Sequence, residues 1–394
     1  MKAKSLLLLS LFPIAFASCD SEPGDTIRPA EKIELNAAES RAANAVNEFG
    51  VDFFAQVCAA ADAEGSNIML SPLSVATFVS VAANACDDNT GSQIAATLGC
   101  EDIEALNSYS GKLVSKLSAL DPRSTFTCSN SLWHHTGTHP KASFVSAAKS
   151  YYDIELFERD LHGQGDTGEQ IRRWVSDKTQ GKIDNFNALL GVSDALLVNA
   201  LYFKGEWVDK FEASKTHSDI FNGATSVSDV DMMHQSRSMG YAASETCSAV
   251  KKDFGNGAFQ ALFILPAEGS SLSSRELSQI VNANYSNTKV QLSFPKFSYR
   301  EQMLNVTRLL SDMGIDYSKV NYLEEATGAS SDIFQDSFIK FDEDGAELAA
   351  VTYNGYTSSG VEQVIEMNFN RPFYFFIREK STGALLLAGK INTL

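Results

Sequence analysis

Three short patterns in this 394-residue sequence contain residue types that bind cofactors or metals. Gly163–Gly168 has the glycine spacing of a dinucleotide-binding turn, but acidic residues crowd the position of the pyrophosphate and no βαβ pattern follows. His134, His135 and His139 lack acidic or cysteine partners at the spacing of a zinc site. Asp342–Gly345 matches only the first part of a calcium loop. The sequence also has no GxSxG nucleophile motif. We therefore predict that the protein is not an enzyme and uses no metal and no cofactor.

The charge balance argues against a nucleic-acid partner. The chain has 32 Lys and Arg against 49 Asp and Glu, a net charge of −17, and such a surface repels phosphates. Apolar residues make up 44% and charged residues 21% of the chain, which is the composition of a globular protein.

The first 39 residues are predicted to be a targeting signal and a tether. Two lysines precede the apolar run 6–16, which as a helix would be about 16 Å long, too short for a bilayer core of roughly 30 Å. Residues 1–18 are typical of a lipoprotein signal peptide, with Cys19 as the lipidated residue and 19–39 as the tether; ordinary cleavage at a nearby alanine is the alternative. We expect a bacterial cell-envelope protein, lipid-anchored and facing the periplasm or the outside, or else secreted. Any contact with the membrane would be through the lipid alone.

The other five cysteines are Cys58, Cys86, Cys100, Cys128 and Cys247. An odd number without a CxxC pair indicates neither a complete disulfide framework nor a zinc ribbon. We expect buried, small apolar side chains, although the sequence leaves a pairing of Cys86 with Cys100 open.

Helical spacing dominates the first half of the mature chain and strand character the second. The predicted helices are 40–61, a helix starting at Ser71–Pro72, 101–120 and a helix around 171–175 that ends near Gly181. The predicted strands are 258–265, 290–294, 338–341, 373–377 and 384–388. Helices early and strands late, without βαβ alternation, indicate an α+β fold.

The segment from Asp342 to Glu366 has no sustained periodicity although strands are predicted on both sides of it. A connection of this length inside a compact domain is usually functional. Ala346 and the run 349–352 could extend as a strand, so this segment is our first candidate for a functional loop.

Eight motifs, in order along the chain, resemble those of serpins, the family of serine protease inhibitors. They are 67–74, 174–183, 197–207, Met232–Met233, 294–297, 313–315, 370–373 and Gly389–Lys390. The resemblance extends from Ser40 to Leu394 and implies one serpin domain over residues 40–394. In that fold, helices early in the chain pack around a large central sheet plus smaller sheets, and a reactive-centre loop is exposed.

The resemblance places the hinge of this loop in the segment from Asp342 to Glu366, which has no sustained periodicity. It assigns nine hinge residues: Glu343, Gly345, Ala346, Glu347, Leu348, Ala349, Ala350, Val351 and Thr352. It implies a suicide substrate, in which a protease cleaves the loop, is trapped as an acyl-enzyme, and the loop inserts into the central sheet. The alternate positions 346, 348, 350 and 352 are uncharged and the segment has no proline, as burial of an added strand requires. Leu348 stands where the family has alanine and could slow insertion.

The implied reactive bond has two candidates. Counting forward from the hinge gives Ser359–Gly360, and counting back from the motif at 369–372 gives Val361–Glu362. The segment 342–370 has no Lys or Arg, so a trypsin-like enzyme is not the expected target. We expect an elastase-like or subtilisin-like serine protease as covalent partner, with a cysteine protease as a further option. A chymotrypsin-like protease could cleave at Tyr356 in a side reaction.

The resemblance also implies a polar cluster that controls opening of the central sheet, assigned to Ser71, Ser74, Asn199, Gln335 and Trp207, with Gln335 in place of the usual histidine. We expect a monomer.

A non-inhibitory, serpin-fold surface binding protein is the alternative function. A hypothesis for recognition is that acidic residues flanking the loop attract a cationic protease; they are Asp342, Glu343, Asp344, Glu347, Glu362 and Glu366.

Overall fold

The computed structural model describes residues 29–394 except 101, 164, 187–193, 316–319, 325–332 and 347–363. The helices are α1 (Ala37–Glu64), α2 (Pro72–Ala85), α3 (Asp88–Thr97), α4 (Ile103–Lys116), α5 (Ala142–Tyr151), α6 (Thr167–Lys178), α7 (Ser274–Val281) and α8 (Val306–Asp312), with 3₁₀ turns at Leu117–Ala119 and Ala213–Lys215. The strands are β1 (Ile68–Leu70), β2 (Ser124–His135), β3 (Ile154–Arg159), β4 (Ala195–Glu206), β5 (His217–Asn222), β6 (Val227–Ala243), β7 (Cys247–Asp253), β8 (Phe259–Pro266), β9 (Ser286–Pro295), β10 (Phe297–Asn305), β11 (Phe334–Phe341), β12 (Gly345–Ala346), β13 (Ile365–Asn368), β14 (Phe373–Glu379) and β15 (Leu385–Ile391).

The strands of the described residues form two sheets. One has nine strands in the order β1-β15-β14-β8-β7-β6-β9-β13, with β5 paired to β6. The other has the order β10-β11-β4-β2-β3, with β12 paired to β4. We call the second one the hinge sheet, because the predicted hinge begins in it.

The start of the domain is earlier than predicted. Asn36 caps α1 and forms a capping box with Glu39, whose buried carboxylate also pairs with Lys112 at 2.5 Å. Residues 36–39, assigned to the tether from the sequence, therefore belong to the folded domain. The predicted start of α2 is observed, since Ser71 caps it and Pro72 is its first residue.

The expectation of helices first and strands later is wrong for β1, β2 and β3, which lie between helices in the first half of the chain, and for β4, which spans the midpoint. Both faces of β4 are covered: Leu196, Val198 and Ala200 pack with residues of α6, and Leu197 and Leu201 pack in the main core with α1 and α2. A strand buried on both faces has no alternating pattern, which is why sequence periodicity did not identify it.

The five cysteines in the described part of the chain are free, so Cys86 and Cys100 do not form a disulfide. Cys58, Cys100 and Cys247 are buried, as expected for small apolar side chains. Among the described residues no helix is long and apolar enough to span a bilayer.

Candidate functional site

The predicted hinge begins as a tight turn after β11. The backbone N–H of Asp342 donates to the carbonyl of Gly345 at 3.0 Å, and the Asp342 carboxylate accepts the backbone N–H of Asp344 at 3.1 Å. A Cβ at Gly345 would lie 2.1 Å from the carbonyl oxygen of Gly205, so only glycine allows this approach. We call residues 342–346 the hinge turn.

After the turn the chain starts a new strand at the edge of β4. Gly345 pairs with Glu206 and Ala346 with Gly205, antiparallel to β4. The other edge of β4 is occupied there by β2, since Ser124 also pairs with Gly205. The hinge turn therefore enters the hinge sheet on the side of β4 that faces β11.

β4 and β11 themselves are joined over a short length. Their parallel pairing covers three positions, Phe334 with Val198, Gln335 with Asn199 and Asp336 with Ala200. Parallel pairing is slightly less stable per residue than antiparallel pairing. A strand continuing β12 between β4 and β11 would be antiparallel to both, so it would exchange a short parallel contact for two antiparallel ones.

Backbone donors just beyond β4 bind the hinge turn. The N–H of Trp207 donates to the carbonyl of Asp344 and that of Phe211 to the carbonyl of Glu343, both at 2.9 Å. The indole Nε1 of Trp207 also donates to the carbonyl of Asp342 at 3.1 Å. The indole is 2% exposed and stacks on Phe254 at 4.2 Å between ring centroids. The aromatic packing thus fixes the donors that position the turn.

Three lysines pair with the three carboxylates of the hinge turn. Lys340 lies 3.0 Å from Asp342, Lys296 lies 2.9 Å from Glu343, and Lys210 lies 3.3 Å from Asp344. Burial by itself would raise the pKa of Glu343, but the hydrogen bonds from Lys296, the backbone and Thr216, together with the charge of Lys296, hold that pKa below its usual value.

We predict from the sequence that six acidic residues flanking the loop attract a cationic protease. Three of them are paired with lysines, and a paired carboxylate attracts a distant cation only weakly, so these three contribute little to such an attraction. Of the other three residues, Glu366 is exposed on β13, and Glu347 and Glu362 lie outside the described residues.

A buried lysine lies beneath this region. Lys252 is 5% exposed, and its Nζ donates to the carbonyl of Asp209 and to the side-chain oxygen of Gln235 at 2.9 Å. The ammonium lies 5.1 Å from the ring centroid of Trp207 and 4.6 Å from that of Phe211. Burial lowers the pKa of Lys252 to about 7. Sequence reasoning missed Lys252, and no local pattern marks it.

Four of the predicted sheet-opening residues meet where β4 and β11 pair directly, further from the hinge turn. Gln335 accepts the backbone N–H of Ser71 at 2.7 Å and pairs with Asn199 across the strands. Ser71 in turn accepts the N–H of Ser74 at 3.1 Å. We call Ser71, Ser74, Asn199 and Gln335 the polar cluster; each is at most 1% exposed.

Two residues that sequence reasoning did not assign complete this network. The amide of Asn199 donates to the side-chain oxygen of Asn130 at 2.9 Å and to Cys128 Sγ at 3.4 Å. The side-chain oxygen of Asn199 is buried without a hydrogen-bond partner among the described residues. The polar cluster therefore joins β2, β4, β11 and the start of α2 through uncharged groups.

Trp207 does not belong to this cluster. It lies eight residues further along the chain than Asn199, about 26 Å away for an extended strand, and contacts the hinge turn instead. The structure therefore separates Trp207 from the other four residues, and its role in sheet opening stays a prediction.

Several predicted residues lie outside the described ranges. They are Cys19, the hinge residues Glu347, Leu348, Ala349, Ala350, Val351 and Thr352, and both candidate bonds, Ser359–Gly360 and Val361–Glu362. Of the predicted hinge, the structure describes Glu343, Gly345 and the backbone of Ala346.

The hinge turn thus places the start of a strand, β12, on the edge of β4 that faces β11. The family model for serpins, described as serine protease inhibitors, matches residues 44–394. The chain belongs to the serpin family, which confirms the family and fold predicted from the sequence.

Known relatives cover nearly the whole chain. An uncharacterized serpin-like protein of Thermococcus kodakarensis is 27% identical over 94% of this chain and 91% of its own length. Leukocyte elastase inhibitor A of Rattus norvegicus is 26% identical over 82% of this chain and 92% of its own length. The native structure of the thermophilic serpin tengpin aligns with a TM-score of 0.78 at 24% identity, covering 93% of this chain and 97% of that one.

Proposed function

We propose that this serpin inhibits a protease by acting as a suicide substrate. The observation that carries the proposal is β12, because residues 345 and 346 already pair with β4 on the edge that faces β11. The hinge turn thus directs the following residues toward the position of an added strand.

In this mechanism the protease nucleophile attacks the scissile carbonyl of the loop, the peptide C–N bond breaks and an acyl-enzyme forms. The new amino terminus belongs to the segment that continues into β13, β14 and β15 and stays in the nine-stranded sheet until the protein is denatured. The loop from Gly345 onward then continues β12 between β4 and β11. Each inserted residue gains backbone hydrogen bonds to a strand on either side, and uncharged residues at alternate positions enter the core. The acylated protease moves with the loop.

The target proposed is an elastase-like or subtilisin-like serine protease, with a cysteine protease as a further option. The absence of Lys and Arg from 342–370 supports this, because a trypsin-like pocket needs a cationic side chain. We also propose a monomer that is lipidated at Cys19 and held at a bacterial cell envelope, supported by the signal-like sequence 1–18 and the polar stretch after it.

The test is incubation of the purified protein with a pancreatic-type elastase, followed by denaturing electrophoresis and intact-mass measurement. A covalent complex and a released C-terminal peptide are expected, and the mass of the peptide identifies the reactive bond. Cleavage without a stable complex would refute inhibition of that protease and favour the alternative, a serpin-fold binding protein. A thermal midpoint that does not change after loop cleavage would favour the same alternative.

A matched pair of variants tests insertion itself. Ala350→Arg places a charge at a position that insertion would bury, which costs several kcal/mol or more, so we expect cleavage without a complex. Ala349→Arg places the same charge on the opposite face and should still form the complex. Equal complex formation by both variants would contradict insertion in this register.

A further inference from the structure

A polar cavity of about 650 Å³ lies where the chain enters β14, and the proposed inhibition does not use it. Its walls are formed by the turn 266–271, residues 370–372 before β14, the end of β15, Asp62 of α1, and residues 222 and 224. Residues 370–372 come directly after β13, which is the first described strand after the loop segment 347–363.

Arg371 is a wall residue of this cavity with an unsatisfied cationic group. Its Nη1 is buried and has no hydrogen-bond partner among the described residues. Burial lowers the pKa of Arg371, while Glu268 opposes this effect through its negative charge. A buried guanidinium N–H without an acceptor is costly. Nη1 itself is shielded from the cavity, so a small rotation of the Arg371 side chain toward the cavity is needed to let a ligand there supply the missing acceptor.

The second cation of the wall is already neutralised. Lys390 is 2% exposed and its Nζ pairs with Asp62. The Asp62 carboxylate also accepts from Ser271 at 2.7 Å and from the amide of Asn392 at 3.1 Å. Asp62 and Lys390 therefore balance each other, whereas Glu268, on the exposed turn, is the carboxylate that could compete with a ligand for Arg371.

We propose that this cavity binds a small oxyanion, a phosphate or a carboxylate, with the guanidinium of Arg371 as its main partner. The planar donor fork of arginine matches the oxygens of both groups. The bound anion would connect residues 370–372 with the turn 267–271 and so stabilise the C-terminal attachment of the loop. Because the protein has a net charge of −17, binding depends on this local cation and not on the overall field.

The probes are inorganic phosphate and acetate, titrated into the purified full-length protein at constant ionic strength with chloride as the reference. We expect saturable binding of one anion per chain by calorimetry and a higher thermal midpoint than in chloride. Tighter binding of phosphate identifies a phosphate-class ligand, and tighter binding of acetate a carboxylate. No saturable binding of either anion would overturn the proposal.

Three variants localise the site. Arg371→Gln should weaken binding about tenfold or more, as expected when a charged hydrogen bond is lost. Arg371→Lys keeps the charge but not the planar donor fork, so its anion affinity should lie between those of the unmodified protein and Arg371→Gln. Glu268→Gln should strengthen binding several-fold, because it removes the competing carboxylate. Unchanged affinity in Arg371→Gln, or weaker binding in Glu268→Gln, would overturn the assignment, and the last two variants decide the matter if Arg371→Gln does not fold.

Discussion

The boundary between β4 and β11 is stabilised by different forces at the polar cluster, within the three paired positions, and at the hinge turn, where β12 lies beside the end of β4. At the hinge turn, three ion pairs and the donors around Trp207 hold the chain. Lys340 and Lys296 are partly exposed, whereas the ammonium of Lys210 is buried. At the polar cluster, fully buried and uncharged groups bind one another. Ion pairs near the surface are weak and screened by salt, whereas a buried hydrogen-bonding group that loses its partner is costly.

This difference suggests an order of opening for the hinge sheet. At the hinge end the ion pairs of Lys296 and Lys340 can separate into water, and β12 already occupies the edge of β4 there. The cluster end cannot open without leaving buried polar groups unpaired. The sheet is therefore expected to open first at the hinge turn, with the polar cluster as the last barrier.

The largest effect is expected at Trp207. Trp207→Ala removes a buried indole that stacks on Phe254 and donates to the hinge turn, and should lower the free energy of unfolding by about 3–5 kcal/mol. Urea denaturation of the variant and the unmodified protein measures this difference in the free energy of unfolding. Trp207→Phe keeps a ring but loses the Nε1 hydrogen bond and part of the ring volume, so about 1–2 kcal/mol is expected. Similar losses in both variants would show that packing is not the main contribution.

The second effect tests the polar cluster. Gln335→Ala removes the acceptor of the Ser71 N–H, and leaving this group unpaired should cost about 1–3 kcal/mol. Because no charge is involved, the loss should be the same at 0.1 and about 1 M salt. Gln335→His, which can again hydrogen-bond, serves as the control, and a loss that disappears in high salt would refute the uncharged character of this end.

The third effect is a pH dependence caused by Lys252. Its folded pKa of about 7 lies below the unfolded value, so between these values the unfolded state binds more protons and stability rises with pH. From pH 7 to 9 we expect a gain of about 1–2 kcal/mol from this residue. Lys252→Met should lose most of this rise.

Lys251→Met is the matched control for Lys252. Burial lowers the pKa of Lys251 only to about 8, so this variant should lose a smaller part of the rise. A pH profile of unfolding that is identical in Lys252→Met and the unmodified protein would contradict the role of Lys252.

The smallest effect concerns the ion pair of Glu343 with Lys296. Glu343→Gln should cost about 0.5–1 kcal/mol, since Lys296 is partly exposed and the pair is screened. The folded pKa of Glu343 is lowered, so its stabilisation is present above the unfolded pKa and is lost as the pH falls through the folded pKa. The loss should shrink in acid and in high salt. A double-mutant cycle with Lys296→Gln isolates the pair, and a coupling that does not change with salt would contradict the comparison of the two ends.

Local signals in the sequence predicted elements with clear caps or clear periodicity. Ser71 and Pro72 marked the start of α2, and the observed helix begins there. The capping box of Asn36 and Glu39 was present in the sequence as well, but the polar stretch before it was interpreted as a tether. β4 could not be recognised by alternation because helices and sheet partners cover both of its faces.

The candidate site was predicted in part, through the resemblance to serpins. That resemblance identified four residues of the polar cluster, which the structure brings together, and grouped with them Trp207, which lies at the hinge turn instead. It could not indicate that Cys128 and Asn130 complete the network, because these contacts join strands and residues that are about 70 positions apart.

The sequence by itself determined the family, the α+β class and the lack of a cationic residue in the segment 342–370, since all of these depend on residue types in order along the chain. Only the tertiary structure decided which charges are free. Asp342, Glu343 and Asp344 form an acidic run in the sequence, yet each pairs with a lysine. Lys252 and Arg371 are ordinary cations in the sequence, but folding buries the ammonium of one and Nη1 of the other. Burial and pairing depend on strands that meet from distant parts of the chain, and no local pattern contains that information.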